Sequence, residues 1–306
     1  MKITTIILCL VMGLMTSCAT TYLQLNSTQL QEANTAFANE DYALCNDLLS
    51  DFDIDDFIIG AQHEYAYMRG ISAHHLNRIN LAISHLEDYL AMPGAVPGRM
   101  RIAEKILLDY ANRYIAGEIK ILWLFTAPSN GYAILESLAI LGTTIEVRAE
   151  AIARYAEFSF NDRRYKTAVN YYAMLLNPRF AALGWNDRAT YRFTECRYLM
   201  LVDNKSDEES ILYALNSARS YLDTFPAGLN RVDANAILND CISRLVKLHV
   251  TIAEYYVTIG NRVGAVHHFK LASGEESQGD SSKVSLIPSS NSAAQLAAQR
   301  LAEYAK

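Results

Sequence analysis

Apolar residues recur three and four positions apart along almost the whole chain, and this spacing limits the folds open to it. Ala151, Tyr155 and Phe158 follow the spacing, and so do Ile242 and Leu245. Residues spaced in this way lie on one face of an α-helix. The alternating runs of valine and threonine that form strands are missing, and proline occurs only six times in 306 residues. The sequence therefore predicts an all-α protein.

Short polar breaks divide the predicted helices, and small residues stand at regular distances around three of these breaks. In each case an alanine after the break has a small residue twelve positions before it and a bulky residue four positions after it. Small residues let two helix backbones come close, and the bulky side chain fills the groove beside them. The pattern therefore predicts tight antiparallel helix pairs. The residues predicted to pack them are Gly70, Ala82 and Leu86, then Ala156, Ala168 and Tyr172, and finally Ala253, Ala265 and Phe269.

The frame resembles the tetratricopeptide repeat, in which antiparallel helix pairs stack into a right-handed superhelix. Ala33 and Cys45 give a fourth set with the same spacing, and a looser set lies around Ala214 or Ala218. The spacing between sets is uneven, and the long interval over residues 82–168 leaves room for at least one degenerate pair. The resemblance implies about five helix pairs in a TPR-like (tetratricopeptide-repeat-like) array.

The array is expected to cover residues 28–272 and to be followed by two further segments. Residues 273–292 are rich in serine, glycine and acidic side chains, which predicts a polar loop. Residues 293–306 then carry apolar side chains at helical spacing, with Asn291 or Ser292 available as the N-cap. We expect this last helix to cap the array by covering the exposed apolar face of the final pair.

The first residues are predicted to form a secretory leader that ends in the sequence LMTSC at positions 14–18. Its apolar run, residues 6–15, is too short to cross a bilayer, which takes about 20 residues. The end of the leader resembles a bacterial lipobox. That resemblance implies cleavage of residues 1–17, diacylglyceryl transfer to Cys18 and acylation of its new amine, with palmitate among the chains. Residues 18–27 would then be a lipidated tether.

The residue after the cysteine indicates where such a lipoprotein would reside. Ala19 is not the aspartate that holds some lipoproteins at the inner membrane. The expected location is therefore the outer membrane, with the chain lipid-anchored and facing the periplasm. An ordinary signal peptide with an incidental Cys18 is the alternative interpretation.

Charge and motifs give no support for nucleic-acid binding or catalysis. The formal net charge is −6, so the chain has no basic field that would attract nucleic acid. The adjacent pairs His74-His75 and His267-His268 direct their rings about 100° apart on a helix, which is unsuited to chelating one metal ion. No catalytic or phosphate-binding motif occurs. The sequence predicts no enzyme activity, no cofactor and no metal site.

Cysteine side chains and most tyrosine side chains are expected to pack between helices. Cys45, Cys196 and Cys241 are far apart and odd in number, so buried thiols are expected rather than a disulfide framework. The 19 tyrosines are an unusual number, and many stand at helical spacing. Most are predicted to lie between helices, and some to line the concave face of the array, where an amphipathic ring suits peptide recognition. The sequence does not separate these two groups.

Residues 230–273 resemble the last two repeats of the BamD (YfiO) family of outer-membrane lipoproteins. They follow a helix that ends at Pro226, and they carry Leu245 and Tyr255 on a long helix and Ala265 after a short turn. The resemblance implies a scaffold without a reaction of its own. Such a scaffold binds the barrel-forming partner in outer-membrane β-barrel assembly and receives unfolded outer-membrane protein segments.

Two alternatives remain open from the sequence. One is a lipoprotein with cryptic repeats that serves the periplasmic solute-binding protein of a TRAP-type transporter, which the uneven repeat spacing would fit. The other is a periplasmic lipoprotein with an enzymatic domain, and no motif in the sequence supports it.

Overall fold

A computed structural model describes residues 28–121, 124–203, 207–275, 287 and 291–304. Most of these residues are helical, which confirms the prediction of an all-α protein. The leader, Cys18 and the tether lie outside the described residues, as does most of the predicted polar loop. The chain forms two compact units, one ending at Ile152 and the other beginning at Ala153.

The described residues of the first unit include six complete α-helices. Pro97 and Pro128 occupy the first position of two of these helices, where the missing N–H costs no hydrogen bond. The helices are α1 (28–38), α2 (Tyr42–Leu48), α3 (Ile59–His75), α4 (Ile79–Ala91), α5 (Pro97–Ile115) and α6 (Pro128–Leu141), with a 3-10 turn at Ile54–Asp56. Between α5 and α6, strands β1 (Lys120–Ile121) and β2 (Phe125–Thr126) pair in antiparallel fashion.

The second unit has the same kind of organisation, and the boundary between the units falls within helix α7. Its helices are α7 (Ile145–Asn161), α8 (Tyr165–Leu175), α9 (Asn186–Asp203), α10 (Glu208–Thr224), α11 (Arg231–Thr258), α12 (Arg262–Ser273) and α13 (Ser292–Tyr304), with a 3-10 turn at Pro178–Leu183. The long helix α11 packs against α10 and α12, and α13 packs against α12.

Four helix pairs turn with the same backbone geometry. Each turn has one residue in the left-handed region, five positions before the small residue that packs the second helix. The residue that follows the left-handed one donates its backbone N–H to a carbonyl oxygen. That oxygen belongs to the residue five positions before the donor, and the distance is 2.8 to 2.9 Å, as in a Schellman motif. The four left-handed residues are Glu40 (φ 59°), Asn77 (φ 56°), Arg163 (φ 59°) and Gly260 (φ 73°).

The α5–α6 pair lies in the long interval between residues 82 and 168, where the sequence predicts a degenerate pair. Gly117 is left-handed (φ 74°), but the glycine on the second helix, Gly131, comes fourteen positions later rather than five. The β1–β2 hairpin accounts for the extra length. A Cβ at Gly131 would lie 2.6 Å from the Ala111 carbonyl oxygen, and Leu135, four positions on, is fully buried. The packing of the other pairs is therefore retained.

The described helices α1 to α12 form six consecutive pairs, one more than the five or so that the sequence predicts. Both the long interval and the region around Ala214 and Ala218 hold a pair, since those two alanines are fully buried on α10, which packs against α9 and α11. Helix α13 contributes Leu301 to the apolar cluster of the α11–α12 pair, which places it over the end of that pair.

Candidate functional site

All nine residues predicted to pack helix pairs lie inside the structure. They form three groups, one in each of the pairs α3–α4, α7–α8 and α11–α12. The last group shares one apolar cluster with Leu301. These side chains stabilise the pairs and are not exposed to a ligand. Gly70, Ala82, Leu86, Ala156, Ala168, Tyr172, Ala253, Ala265 and Phe269 are all buried.

Most tyrosines at helical spacing also belong to the interior. Among eight such tyrosines that the sequence singles out, Tyr165 and Tyr198 are partly exposed and the other six are buried. Several buried tyrosines use the hydroxyl to join neighbouring helices. Tyr172, for example, donates to Glu157 Oε2 at 2.9 Å, between α8 and α7. The six buried members of this set are Tyr65, Tyr89, Tyr155, Tyr172, Tyr191 and Tyr221.

The three cysteines of the described residues are free and buried, as the sequence predicts. Burial raises the pKa of Cys196 and of Cys241 to about 12, and it also raises the pKa of Cys45. A thiol with so high a pKa is protonated at neutral pH and is a poor nucleophile. Packing is therefore the role that their surroundings support.

The described part of the chain lacks two kinds of feature. No described helix is long and apolar enough to cross a membrane. No group of three or more histidine, cysteine, aspartate or glutamate side chains among those residues is arranged to hold a metal ion.

An open groove of about 460 Å³ lies between α4, α5 and α6 in the first unit. Its apolar walls come from Ile83 on α4 and from Ala133, Ile134 and Ile140 on α6. A volume of this size falls within the range of about 300–1,000 Å³ that is common for ligand sites. Mixed apolar and polar lining is also typical of such sites. We refer to this cavity as the α4–α6 groove.

Polar residues line the rest of the α4–α6 groove, and two of them are held by a hydrogen bond. Tyr114, only 3% exposed on α5, donates its hydroxyl to Asn80 Oδ1 at 3.1 Å. Because the close packing of Gly131 against the α5 backbone brings α6 near, Asn130 and Ser137 of α6 also reach the groove. The floor is therefore fixed by α5, and the two walls by α4 and α6.

The charge in the α4–α6 groove is acidic. Glu87 and Glu136 are among the ten lining residues, and no lysine or arginine is. Partial burial raises the pKa of Glu87, the neighbouring Asp88 raises it further, and a hydrogen bond with Ser137 opposes the shift. A carboxylate in such surroundings is stabilised by a cation.

The sequence does not predict the groove residues. Asn80, Ile83 and Glu87 stand at the spacing of one helix face, and Asn130 and Ser137 do the same on α6. A stripe of polar and small residues on a helix usually faces solvent, so the pattern alone gave no reason to bring these two faces together. The missing information was the α5–α6 pair, which the hairpin insertion conceals.

Comparisons with known proteins assign no family to the chain. No protein-family model matches the sequence, and no curated protein matches it. Any functional assignment therefore depends on the residues, on the geometry of the helix pairs and groove, and on the resemblance to the BamD family.

Proposed function

We propose that the chain is a TPR-like lipoprotein that binds segments of other proteins and catalyses no reaction. In this proposal each compact unit is a portion of a tetratricopeptide-like right-handed superhelix. The observation that carries it is the set of four equivalent turns at Glu40, Asn77, Arg163 and Gly260. Recurrent turns of one geometry are typical of repeat proteins, whose stacked pairs serve as binding surfaces.

The α4–α6 groove supports the binding role. Its lining is supplied by three helices that tight packing holds in place, so the site is formed before a partner arrives. Binding an extended segment there costs conformational entropy mainly on the segment's side. The mixture of apolar walls, amides and carboxylates suits side chains and backbone of a peptide better than it suits a reaction centre.

The proposed place of action is the periplasmic face of the outer membrane, with Cys18 carrying the lipid. The resemblance to the BamD family supports this placement and a role in outer-membrane β-barrel assembly. The proposed partners are the barrel-forming assembly protein and unfolded outer-membrane protein segments.

A detergent extraction followed by affinity capture of the tagged full chain tests the proposal. We expect a large β-barrel membrane protein to be recovered with the wild type. The Cys18→Ser variant should incorporate no fatty-acid label and should remain uncleaved by the lipoprotein peptidase. Unchanged labelling of Cys18→Ser would contradict the anchor, and capture without a barrel partner would contradict the assembly role.

The irregular α5–α6 pair favours a second candidate function. A hairpin between paired helices departs from evenly spaced repeats, and cryptic repeats of this kind fit a lipoprotein that serves the solute-binding protein of a TRAP-type transporter. In that case the same capture experiment would recover a periplasmic solute-binding protein in place of the β-barrel protein.

A further inference from the structure

We propose that the α4–α6 groove selects a lysine or arginine side chain of the bound segment, with Glu87 as its acceptor. This inference rests on the proposed function, because it names the chemistry of the segment that the scaffold binds. It commits to a basic, otherwise apolar peptide segment as the occupant of the groove.

The groove matches the two parts of a basic side chain. Ile83 on α4 and Ile140 on α6 offer apolar surface for the methylene stem, and Ile140 is 56% exposed even though it lines a cavity. Long basic side chains lay their stems on apolar surface and direct the charged end to a polar partner. Glu87 supplies that partner on the same wall as Ile83, one helical turn further along α4.

Glu87 has no basic partner among the described residues, whereas two other partly buried glutamates do. Glu64 pairs with Arg99 at 2.7 Å, and Glu157 pairs with Arg192 at 2.9 Å. Among the described residues no ion pair joins Glu87 to a lysine, arginine or histidine, and the neighbouring charge that shifts its pKa is that of Asp88. A cation from the ligand would offset both the burial and the repulsion between these two carboxylates.

The side-chain amides that line the groove can form hydrogen bonds with the backbone of the bound segment. Tyr114 donates to Asn80 Oδ1, which leaves the amide nitrogen of Asn80 as a donor for a peptide carbonyl. Asn130, which lines the groove from α6, offers both a donor and an acceptor. These amides would bind the peptide backbone whatever its side chains are. The preference for a basic side chain would therefore come from the Glu87 carboxylate.

Peptide binding to the purified full chain tests the inference. The probes are three fluorescein-labelled heptapeptides with alanine and leucine flanks and a central lysine, norleucine or glutamate. Norleucine keeps the methylene stem of lysine and lacks its charge. We expect the lysine peptide to bind about tenfold more tightly than the norleucine peptide by fluorescence anisotropy, and the glutamate peptide to bind most weakly. The preference should shrink as salt is raised.

Variants assign the preference to Glu87. Glu87→Gln should remove the difference between the lysine and norleucine peptides while both still bind. Glu146→Gln, which changes an exposed carboxylate of α7 outside the groove, is the matched control and should keep the wild-type preference. Ala133→Trp, which places a large ring in the groove, should weaken all three peptides.

The outcomes separate the inference from the proposed function. Equal binding of the three peptides to the wild type, lost in Ala133→Trp, would overturn the selection of a cation and leave a peptide groove. A lysine preference that survives in Glu87→Gln would overturn the role of Glu87. Failure of all three peptides to bind the wild type would overturn both the selection and the groove as the binding site.

Discussion

Gly70 lies against Leu86 so closely that a Cβ at Gly70 would be 2.6 Å from Leu86 Cδ2 and 3.3 Å from the Leu86 backbone nitrogen. This contact joins α3 to α4 at the point where their backbones approach. Leu86 is fully buried and has little room to move aside. We therefore expect Gly70→Ala to lower the free energy of unfolding by about 1–3 kcal/mol, as overpacking of a core does. Urea unfolding followed by circular dichroism measures the change.

Helix α3 contains its own control for this substitution. A Cβ at Gly60 would meet no atom within 4 Å, so Gly60→Ala introduces no clash. Alanine is the better helix former, and we expect Gly60→Ala to leave stability unchanged or raise it by up to about 1 kcal/mol. Equal effects of the two substitutions would show that close approach at Gly70 does not stabilise the pair.

The shared turn geometry predicts opposite effects at two equivalent positions. Gly260 has φ 73° and open space where its Cβ would lie. Gly260→Ala therefore introduces no clash, and only the left-handed backbone conformation destabilises the variant. We expect a loss of about 1 kcal/mol in the free energy of unfolding. Arg163 has φ 59° at the corresponding turn and is exposed, so Arg163→Gly relieves the same conformational cost.

Thermal unfolding of the two variants beside the wild type tests the turn. We expect Arg163→Gly to unfold at the wild-type temperature or slightly above it, because the greater chain entropy of glycine in the unfolded state offsets part of the gain. Destabilisation by Arg163→Gly larger than that by Gly260→Ala would mean that the arginine side chain, rather than the backbone conformation, decides the stability of its turn.

A buried carboxylate fixes the start of α7. Glu104 on α5 is fully buried, and it accepts hydrogen bonds from the Thr143 hydroxyl at 2.8 Å and from the backbone N–H groups of Thr143 and Thr144. Replacement by alanine removes the acceptor of all these hydrogen bonds. We expect Glu104→Ala to cost about 2–4 kcal/mol, since hydrogen bonds to charged groups are worth about 1.5–3 kcal/mol each and the loss is only partly made up by water.

Two comparisons make the Glu104 prediction specific. Glu104→Gln keeps one acceptor oxygen and should cost less than Glu104→Ala in the same urea titration. Glu118→Gln changes an exposed glutamate just beyond the same helix and should alter stability by less than about 0.5 kcal/mol. A Glu104→Ala protein as stable as Glu118→Gln would contradict the bonding role of Glu104.

The helix pairs could be predicted from the sequence wherever small residues keep a fixed spacing across a short turn. Gly70 with Ala82, and Ala253 with Ala265, belong to this class. The α5–α6 pair could not be placed, because the β1–β2 hairpin separates Gly117 from Gly131 and removes the spacing that reveals the others. A pair without its spacing is recognised only once tertiary packing is known.

The turn geometry and the groove could not be predicted from the sequence for a different reason. Glu40 and Arg163 are poor indicators of a left-handed backbone, which glycine and asparagine signal far better. Likewise Asn80 and Glu87 have the composition of a solvated helix face. Their site exists only because α6 packs beside α4 and gives these residues an opposing wall.

His85 gives the first unit a stability that depends on pH. Its side chain is 14% exposed, and among the described residues its Nδ1 atom has no hydrogen-bond partner, although Asp88 Oδ2 lies 4.0 Å away. Burial lowers the pKa of His85 to about 4, the charge of Arg69 lowers it as well, and Asp53 opposes the shift. Since the unfolded chain has the ordinary pKa of about 6.5, it binds the proton more tightly than the folded chain. Stability is therefore full above about pH 6.5 and declines as the pH falls from 6.5 towards 4.

The size of this decline follows from the two pKa values. A difference of about 2.5 units corresponds to about 3 kcal/mol at complete protonation and to about 2 kcal/mol at pH 5. Urea unfolding at pH 7.5 and pH 5 gives the loss for the wild type and for His85→Gln, which cannot titrate. Other buried histidines contribute equally to both proteins, so their effect cancels in the difference. We expect the wild type to lose about 2 kcal/mol more than His85→Gln, and parallel losses would place the His85 pKa near its ordinary value in the folded chain.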